Sequence, residues 1–431
     1  MIDPAQLHLD LLPGPHNIAR RRFANGVVGL AYENRHSPSV VVHGWLWAGS
    51  IDVPREQAGL AAFTASMLKR GTQNRTFAQI NEAVESLGAT LSIGGGGHTT
   101  RFTVKCLVED LPQLLDLLTD CLYHPTFPPE YIERRRTQIL TAIEQRNDST
   151  QAVASLAFGE LMYPGHPYSL SQLGYEDSIA ALMGEDIEAF YRTHYGPQKM
   201  GVTIVGAMPC SQGLDFLEAA FASWIGANHD RAPLPEVARP TQPIRKSILM
   251  PAKFQSDLVI GWPAMTRTWP DFDAASLANC ILGEFGLMGR LGTNVRQNQG
   301  LAYYVYTALE AGLGTGAWTA MAGIDPENIE LIVESILDEI KRLQTEPVDA
   351  EELADNKSYI IGSLPLRLEG NEGIAAQIVE MELFDLGLDY VQRFPSLVAS
   401  LTAQDVIEVA RTYLTPDAYV LAVAGPQASA E

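Results

Sequence analysis

The order of hydrophobic and polar positions repeats once along the chain. Near the end of each half, a segment with helical spacing of apolar residues is followed by a proline and then by an apolar run that closes on glycine. The proline and glycine are Pro197 and Gly206 in the first half and Pro416 and Gly425 in the second, and both pairs are separated by 219 residues. The pattern predicts a helix, a turn and a buried strand at the end of each half.

Earlier apolar segments recur at nearly the same interval. Residues 42–45 match residues 259–262 at a distance of 217, and residues 102–106 match residues 318–322 at a distance of 216. In both halves the second segment is followed by acidic residues and then by a long stretch in which apolar residues recur with the period of a helix. A constant interval across separate elements indicates two homologous domains.

A proline-rich stretch joins the two repeats. Residues 226–246 contain four prolines, a composition typical of an exposed, semi-rigid linker. We therefore place an N-terminal domain at residues 1–225 and a C-terminal domain at residues 247–431. Strand pairs followed by clusters of helices predict an α+β fold class, in which each domain is a mostly antiparallel sheet with helices packed on one face.

Charge excludes two classes of partner. The chain has 30 basic and 51 acidic residues and a formal net charge of −21, so we expect neither a nucleic acid nor an anionic membrane surface to bind it. No apolar run approaches the ~18–20 residues of a membrane-spanning helix. The first ten residues lack the basic and apolar regions of a secretory signal. We therefore expect a cytoplasmic protein, or a periplasmic one if a signal has been removed.

A more specific pattern lies on the helix predicted after the strand near residue 45. The segment 59–72 contains Gly59, Ala61, Phe63, Met67, Gly71 and Thr72. With these residues it resembles the metal-binding helix of the pitrilysin-type, or inverzincin, zinc metallopeptidases, a family that includes the mitochondrial processing peptidase and insulin-degrading enzyme. The family motif has the form G-x-A-H-F-x-E-H-M-x-x-K-G-T, and the chain keeps the residues that flank its metal ligands. The resemblance extends over both halves and implies the paired-domain architecture of the family.

The residues that bind the metal ion in the family motif are absent from this chain. In the family, two histidines four residues apart hold zinc, and a glutamate beside the second histidine activates water. The matching positions here are Ala62, Ala65 and Ser66, none of which offers an imidazole or a carboxylate. In the segment that matches the third ligand of the family, the only carboxylate is Glu144, which we expect to be a solvated helix residue. The resemblance therefore implies that this chain holds no metal or other cofactor, and that zinc belongs to a partner subunit.

A second family signature is retained in the C-terminal half. Arg296 is followed, after six residues, by Tyr303 within the sequence G-L-A-Y. In the family, this pair reaches the peptide held at the zinc, where the tyrosine hydroxyl donates to the scissile carbonyl oxygen and the arginine binds substrate carbonyls or supports the tyrosine. We expect Arg296 in the last turn of a helix and Tyr303 in the next strand, both facing one opening. The structural alternative is an arginine at a helix C-terminus and a tyrosine packed on a sheet.

A lost metal motif together with a retained pair favours a non-catalytic, substrate-binding subunit of a heterodimeric zinc peptidase. The resemblance implies a zinc-bearing paralogous subunit as partner, a peptide or unfolded protein as substrate, and a role for Arg296 and Tyr303 in the partner's active site. Alone, the chain is expected to hydrolyse no peptide. Two alternatives stay open at this stage: a structural or assembly subunit, and a peptide-binding homodimer without a peptidase role. The tract Gly94–Gly97 is expected to form a flexible turn or to contact peptide.

Overall fold

The strands of the protein form two sheets, one in each half of the chain. The computed structural model describes residues 12–227 and 230–426, so the first ten residues, on which the expectation about a secretory signal rests, lie outside the described residues. The first sheet contains β1 (Ile18–Arg22), β2 (Val28–Glu33), β3 (Ser39–Leu46), β4 (Thr90–Gly95), β5 (Thr100–Leu107) and β6 (Gly201–Gly206). The second contains β7 (Ile244–Leu249), β8 (Ser256–Pro263), β9 (Ala302–Leu309), β10 (Ala317–Ile324) and β11 (Val420–Gly425).

The two sheets share one strand order. The first sheet runs β1-β2-β6-β3-β5-β4 and the second runs β7-β11-β8-β10-β9. With β1 set aside, each sheet begins with a parallel pair, β2–β6 or β7–β11, and continues with antiparallel neighbours only. The prediction of an α+β fold with two homologous, mostly antiparallel domains is therefore confirmed.

The central strands explain why the repeat is visible in the sequence. Every residue of β6, β8 and β11 is buried. Strands that are covered on both faces read as continuous apolar runs, whereas strands with one solvated face alternate between apolar and polar residues. The pattern at the end of each half is thus the signature of a strand in the middle of a covered sheet.

Helices surround both sheets. Those of the first half are α1 (Leu60–Met67), α2 (Phe77–Glu85), α3 (Leu111–Tyr123), α4 (Pro129–Asn147), α5 (Thr150–Met162), α6 (Glu176–Ala181), α7 (Gly184–His194) and α8 (Cys210–Phe221). Those of the second half are α9 (Phe272–Leu282), α10 (Ile329–Thr345), α11 (Ala350–Arg367), α12 (Asn371–Leu383), α13 (Tyr390–Ser400) and α14 (Ala403–Tyr413). Among the described residues, no helix combines the length and the apolar composition needed to cross a membrane.

One face of each sheet is covered by helices of its own half. In the first half, α1, α3, α4, α7 and α8 pack their apolar sides on the sheet, around buried residues such as Phe63 and Phe102. In the second half, α9, α10 and α14 do the same around Trp262 and Trp318. These two clusters are the main cores of the two halves.

The other face of each sheet is covered by a helix from the opposite half. Helix α5 of the first half packs Ala157 and Phe158 against Val259 and Ala422 of the second sheet. Helix α12 of the second half packs Ile378, with its neighbours, against the outer face of the first sheet. The two halves therefore exchange one helix each, and their packing does not follow the sequence boundary between the predicted domains.

The connection between the halves is anchored at its start and ends inside the second sheet. Arg231 donates from Nε to Oδ1 of Asp52 at 2.7 Å and from Nη2 to Oδ2 at 2.5 Å, and its guanidinium lies over the ring of Trp47. At the other end β7 begins at Ile244, so the last residues of the predicted linker belong to that strand.

Candidate functional site

Helix α1 carries the positions at which the zinc metallopeptidase motif has its metal ligands. The helix follows Gly59, whose φ of +95° favours glycine; a Cβ atom there would also lie 2.9 Å from the carbonyl oxygen of Leu173. Ala62 and Ser66 are one turn apart and partly exposed, whereas Ala65 is buried. The backbone therefore keeps the arrangement of the motif, but the side chains that would bind metal are missing.

A guanidinium occupies the space beside the last of these positions. The hydroxyl of Ser66 donates to the carbonyl oxygen of Phe63 at 2.7 Å, and Nε of Arg135 donates to the same hydroxyl at 3.1 Å. Arg135 comes from α4, and its Nη1 donates to Oε1 of Gln138 at 3.3 Å. Because a positive charge at this point repels a divalent cation, the residues present do not fit zinc.

Helix α4 offers no replacement ligand. Ala142 lies seven residues after Arg135, which is close to two full turns and therefore on the same side of the helix. Its methyl group cannot bind a metal. Glu144 lies nine residues after Arg135, or two and a half turns, which places it on the opposite side of the helix, and it is exposed.

No other metal site takes over within residues 12–227 and 230–426, and three of the cysteines are inert. In that part of the chain, no group of three or more His, Cys, Asp or Glu side chains could hold a metal ion. Burial raises the pKa of the thiols of Cys106, Cys121 and Cys280 to about 12, so these cysteines stay protonated and unreactive at neutral pH.

Arg296 lies on an irregular helix in the second half. Residues Gly292–Asn298 form a π-helix, in which the amide of Gln299 donates to the carbonyl oxygen of Asn294 at 3.1 Å. The side chain of Asn294 donates in turn to the buried carboxylate of Glu339 at 2.6 Å. Such π-helical turns are rare in proteins overall, but those that occur are often found at functional sites. Here the wide turn is held in place by a buried hydrogen bond, so the position of the Arg296 backbone is well defined.

Tyr303 is the extra residue of a β-bulge on an edge strand. On β9, Ala302 pairs with Ile324 and Tyr304 pairs with Gly323, so two steps along β9 correspond to one step along β10. Tyr303 has no partner in this register. Bulges bend a strand and redirect side chains, and they are common at sheet edges and near active sites.

The other tyrosines of β9 serve the packing of the strand. The hydroxyl of Tyr304 donates to the carboxylate of Asp257, and that of Tyr306 donates to Sδ of Met321 at 3.0 Å. Tyr303, in contrast, is 59% exposed. Three tyrosines on one strand therefore fall into two groups, and only Tyr303 faces solvent without a packing role.

Arg296 and Tyr303 share one property that the sequence does not reveal. Both side chains are exposed, and neither forms a hydrogen bond or an ion pair with any other residue in the described ranges. Nearby polar side chains are paired, since Arg290 forms a two-point ion pair with Glu352 at 2.7 and 2.8 Å. The two donors predicted to bind substrate are thus free to bind a group outside this chain.

A cavity of about 1090 Å³ lies between the two halves. Its first-half wall is the turn between β4 and β5, and its second-half wall comes from α9, α11, α12, α13 and the turn between β9 and β10. Neither the α1 positions nor Arg296 and Tyr303 line it. Its charged lining residues are Arg101, Arg267, Asp273, Glu284, Arg367 and Glu380.

The glycine tract Gly94–Gly97 is part of that wall and is more ordered than a free turn. The amide of Gly96 donates to Thr99 at 2.9 Å, and the carbonyl oxygen of Gly96 accepts from Ser50 at 3.0 Å. The backbones pass closely at Gly95, where a Cβ atom would lie only 3.0 Å from Cα of Ala62. The edge strand β4 therefore runs directly along helix α1.

Arg135 is a candidate that sequence reasoning missed. The residue lies 69 positions from its partner Ser66, so no local spacing links the two. The one sequence signal is a run of three arginines at positions 134–136 in a strongly acidic chain. Such a run on a helix is usually a solvated face, and the structure is needed to show that its middle member turns inward.

Two family models match most of the chain. The model described as insulinase, peptidase family M16, matches residues 30–174, and the model described as the inactive domain of peptidase M16 matches residues 182–359. The first contains helix α1, and the second contains the π-helix and β9.

Named relatives and solved structures agree with these matches. A protein named an uncharacterized zinc protease of Streptomyces coelicolor is 26% identical over 412 residues, covering 94% of this chain and 89% of that protein. The beta subunit of the mitochondrial-processing peptidase of Saccharomyces cerevisiae is 25% identical over 373 residues, covering 83% of this chain and 80% of that subunit.

A crystal structure described as a peptidase M16 inactive domain from Pseudomonas fluorescens has a TM-score of 0.88 and 26% identity, covering 96% of this chain and 99% of that one. A protease from Helicobacter pylori has a TM-score of 0.88 at 17% identity, with coverage of 96% and 100%, and shows the fold alone.

Proposed function

This chain belongs to peptidase family M16 as a non-catalytic member, and we propose that it is the substrate-binding subunit of a two-chain zinc peptidase. In this proposal a paralogous subunit holds the zinc. The present chain contributes Arg296 and Tyr303 to the active site of that partner, and the substrate is a peptide or an unfolded protein.

The observation that carries the proposal is the free state of the two side chains. On the same strand, the hydroxyl of Tyr304 has an internal partner in Asp257. Arg296 and Tyr303 are exposed and unpartnered within the described residues, on a π-helix and a β-bulge that hold their backbones in irregular conformations. Irregular backbone is costly, and it is expected to persist where it positions a side chain for use.

The chemistry of the pair suits the cleavage of a peptide bond on a neighbouring subunit. As water adds to the scissile carbonyl group, the carbonyl oxygen becomes anionic, and a positioned hydroxyl such as that of Tyr303 stabilises it by donating a hydrogen bond. The planar guanidinium of Arg296 can bind substrate carbonyl oxygens with two parallel donors. Neither role requires this chain to bind metal.

One of the relatives supports a two-chain arrangement. The yeast protein is named as a subunit of a mitochondrial-processing peptidase, and it matches this chain over most of its length. We infer that the present chain likewise works as one subunit of a peptidase, together with a paralogue that keeps the metal motif.

The test uses the complex with a zinc-bearing M16 paralogue from the same organism. Tyr303→Phe is expected to lower kcat/KM for peptide cleavage by about 10²–10³-fold while zinc content and complex formation stay unchanged. The matched control is Tyr306→Phe, which removes a hydroxyl from the same strand but one that donates to Met321. Cleavage that is equally fast in all three complexes would contradict the proposal and favour a structural or assembly subunit.

The isolated chain tests the remaining alternative. We expect size-exclusion chromatography of this chain with the paralogue to show a mixed complex, and the chain alone to cleave no peptide. A stable homodimer that binds peptides and ignores the paralogue would favour the peptide-binding homodimer.

A further inference from the structure

We propose that Arg135 and Arg70 form a carboxylate-binding site on the face of helix α1 where the family motif would place a metal ion. The ligand is a carboxylate of a bound peptide, either its C-terminal group or an acidic side chain. The choice of a peptide as the ligand rests on the proposed function, whereas the presence of an anion site rests on the geometry alone.

Arg135 has a donor left over for a ligand. Its Nε is engaged with Ser66 and its Nη1 with Gln138, but Nη2 donates to no described group. The side chain is only partly exposed, yet this nitrogen is not among the buried unpaired atoms of the described chain, so solvent reaches it. Ser66 and Gln138 fix the plane of the guanidinium and thereby direct the remaining donor.

Arg70 supplies a second unneutralised charge. It lies three residues beyond the end of α1, and its guanidinium stacks over the ring of Phe77 at 4.6 Å. The guanidinium of Arg70 forms no hydrogen bond or ion pair with the described residues. Phe77 packs on Tyr131 of α4, one turn before Arg135, with ring centroids 5.1 Å apart, so Arg70 lies beside the helix that carries Arg135. In keeping with this placement, burial and then the charge of Arg70 lower the pKa of Arg135.

Other arginines of this region have acidic partners. Arg75 pairs with Asp116 at 2.6 Å and with Asp120 at 2.7 Å, and Arg136 pairs with Glu133 at 3.1 Å. Arg70 and Arg135 are thus two neighbouring, partly buried arginines that no acidic side chain of the described residues neutralises, in a chain with 51 acidic and 30 basic residues. A bound anion would remove both the repulsion and the cost of burying unpaired charge.

The shape and setting of the site favour a peptide carboxylate. A guanidinium fork matches the two oxygens of a carboxylate, and hydrogen bonds between the two are among the stronger ones in proteins. The overall charge of −21 disfavours polyanions such as nucleic acids. Beside the site runs β4, an edge strand; apart from the carbonyl oxygen of Leu91, which accepts from Nζ of Lys69, its outer backbone groups can align an extended peptide next to Ala62.

The experiment compares peptides that differ only in charge. The full chain, without its partner, is titrated with one peptide as the free C-terminal acid and as the C-terminal amide, and with a second pair that carries an internal Glu or Gln. Binding of the free acid, of the Glu peptide or of both is expected to be tighter than that of the neutral counterpart by about tenfold or more. Which pair differs identifies the source of the carboxylate.

Variants locate the effect. Arg135→Gln should abolish the difference between acid and neutral peptide, and Arg135→Lys should keep part of it, because lysine retains the charge but not the fork. The matched control Arg134→Gln changes an exposed arginine on the same helix and should leave the difference intact. Thermal melting is expected to show Arg135→Gln at least as stable as the wild type, since the repulsion with Arg70 is removed.

Any of four results would overturn the inference. Three of them are equal binding of acid and neutral peptides, an acid preference that survives Arg135→Gln, and stoichiometric binding of zinc at α1. Stabilisation of the wild type by inorganic phosphate alone, with no peptide preference, would also reject the assignment to carboxylates. Peptide binding needs neither the partner nor Tyr303, so this inference and the proposed function fail in separate experiments.

Discussion

Arg135 determines what helix α1 can hold, because its guanidinium lies against the residue where the second histidine of the motif would stand. The loss of metal binding is therefore more than the absence of three side chains. A positive charge has been brought in from a different helix and is fixed by hydrogen bonds to Ser66 and Gln138.

Restoring the motif on α1 alone is expected to fail. The triple variant Ala62→His, Ala65→Glu, Ser66→His should bind zinc only weakly, since Arg135 repels the ion and α4 lacks a third ligand. Adding Arg135→Gln and Ala142→Glu should bring zinc to one equivalent per chain, as measured by elemental analysis after dialysis. Full occupancy of the triple variant would show that Arg135 does not block the site.

At the scale of elements, a buried carboxylate ties the loop after α1 to α3. Asp120 is 4% exposed and accepts hydrogen bonds from Thr72 at 2.7 Å, Asn74 at 2.7 Å and Arg75 at 2.7 Å. Burial alone would raise the pKa of Asp120, but these three hydrogen bonds outweigh it and lower the pKa below its usual value. The loop that carries Arg70 is thereby held in a fixed position.

This arrangement predicts a dependence of stability on pH. Asp120→Asn should lower the free energy of unfolding by about 2–3 kcal/mol at neutral pH. Because the folded pKa is depressed, the stabilisation is complete above the unfolded pKa of about 3.9 and is lost as the pH falls through the folded value.

Urea titrations at several pH values measure the effect. The difference between wild type and Asp120→Asn should be constant above about pH 5 and should shrink below about pH 4. The control is Asp116→Asn, which removes the exposed partner of the same arginine and should cost less than about 1 kcal/mol. Equal losses for the two variants would indicate that burial of Asp120 is irrelevant.

The elements also show what the sequence could predict. The central strands β6 and β11 were predictable, because burial on both faces imposes apolar runs that end at Gly206 and Gly425. The π-helix and the bulge were not, since Arg296 and Tyr303 keep the same sequence spacing whether the backbone is regular or irregular. Whether the two side chains face one opening stays a prediction.

The sequence could predict only the part of the candidate site whose residues lie close together along the chain. The missing ligands at Ala62, Ala65 and Ser66 are local and could be identified from the motif. Arg135 and the cavity between the halves depend on side chains from separate helices, which no local pattern relates. Helix α5 is a similar case, because its apolar face indicates burial but not which sheet it covers.

At the scale of the whole molecule, the exchanged helices α5 and α12 join the two halves into one unit. Phe158 lies in a small core formed with the second sheet, and a Cβ atom at Gly261 would come within 2.8 Å of its ring. An interface of this kind resembles a domain core more than a contact between independent domains.

Phe158→Ala is therefore expected to lower the free energy of unfolding by about 3–5 kcal/mol and to affect both halves. Hydrogen exchange followed by mass spectrometry should show that β3 and β8 lose protection together. The control is Phe254→Ala, at a residue that is 96% exposed and should be close to neutral. Loss of protection in the second sheet alone would show that the halves unfold independently.

The exchange of helices also bears on how such a chain arose. If both halves descend from a single duplicated gene, the ancestral chain had one sheet with one apolar face that its own helices left uncovered. It also had one helix that packed on the sheet of another copy. Two identical ancestral chains would have had to exchange that helix to cover the apolar faces of both sheets. On that condition the present linker arose by fusion of the two chains of an obligate dimer. The exchange of α5 and α12 between the halves would then be older than the linker that joins them.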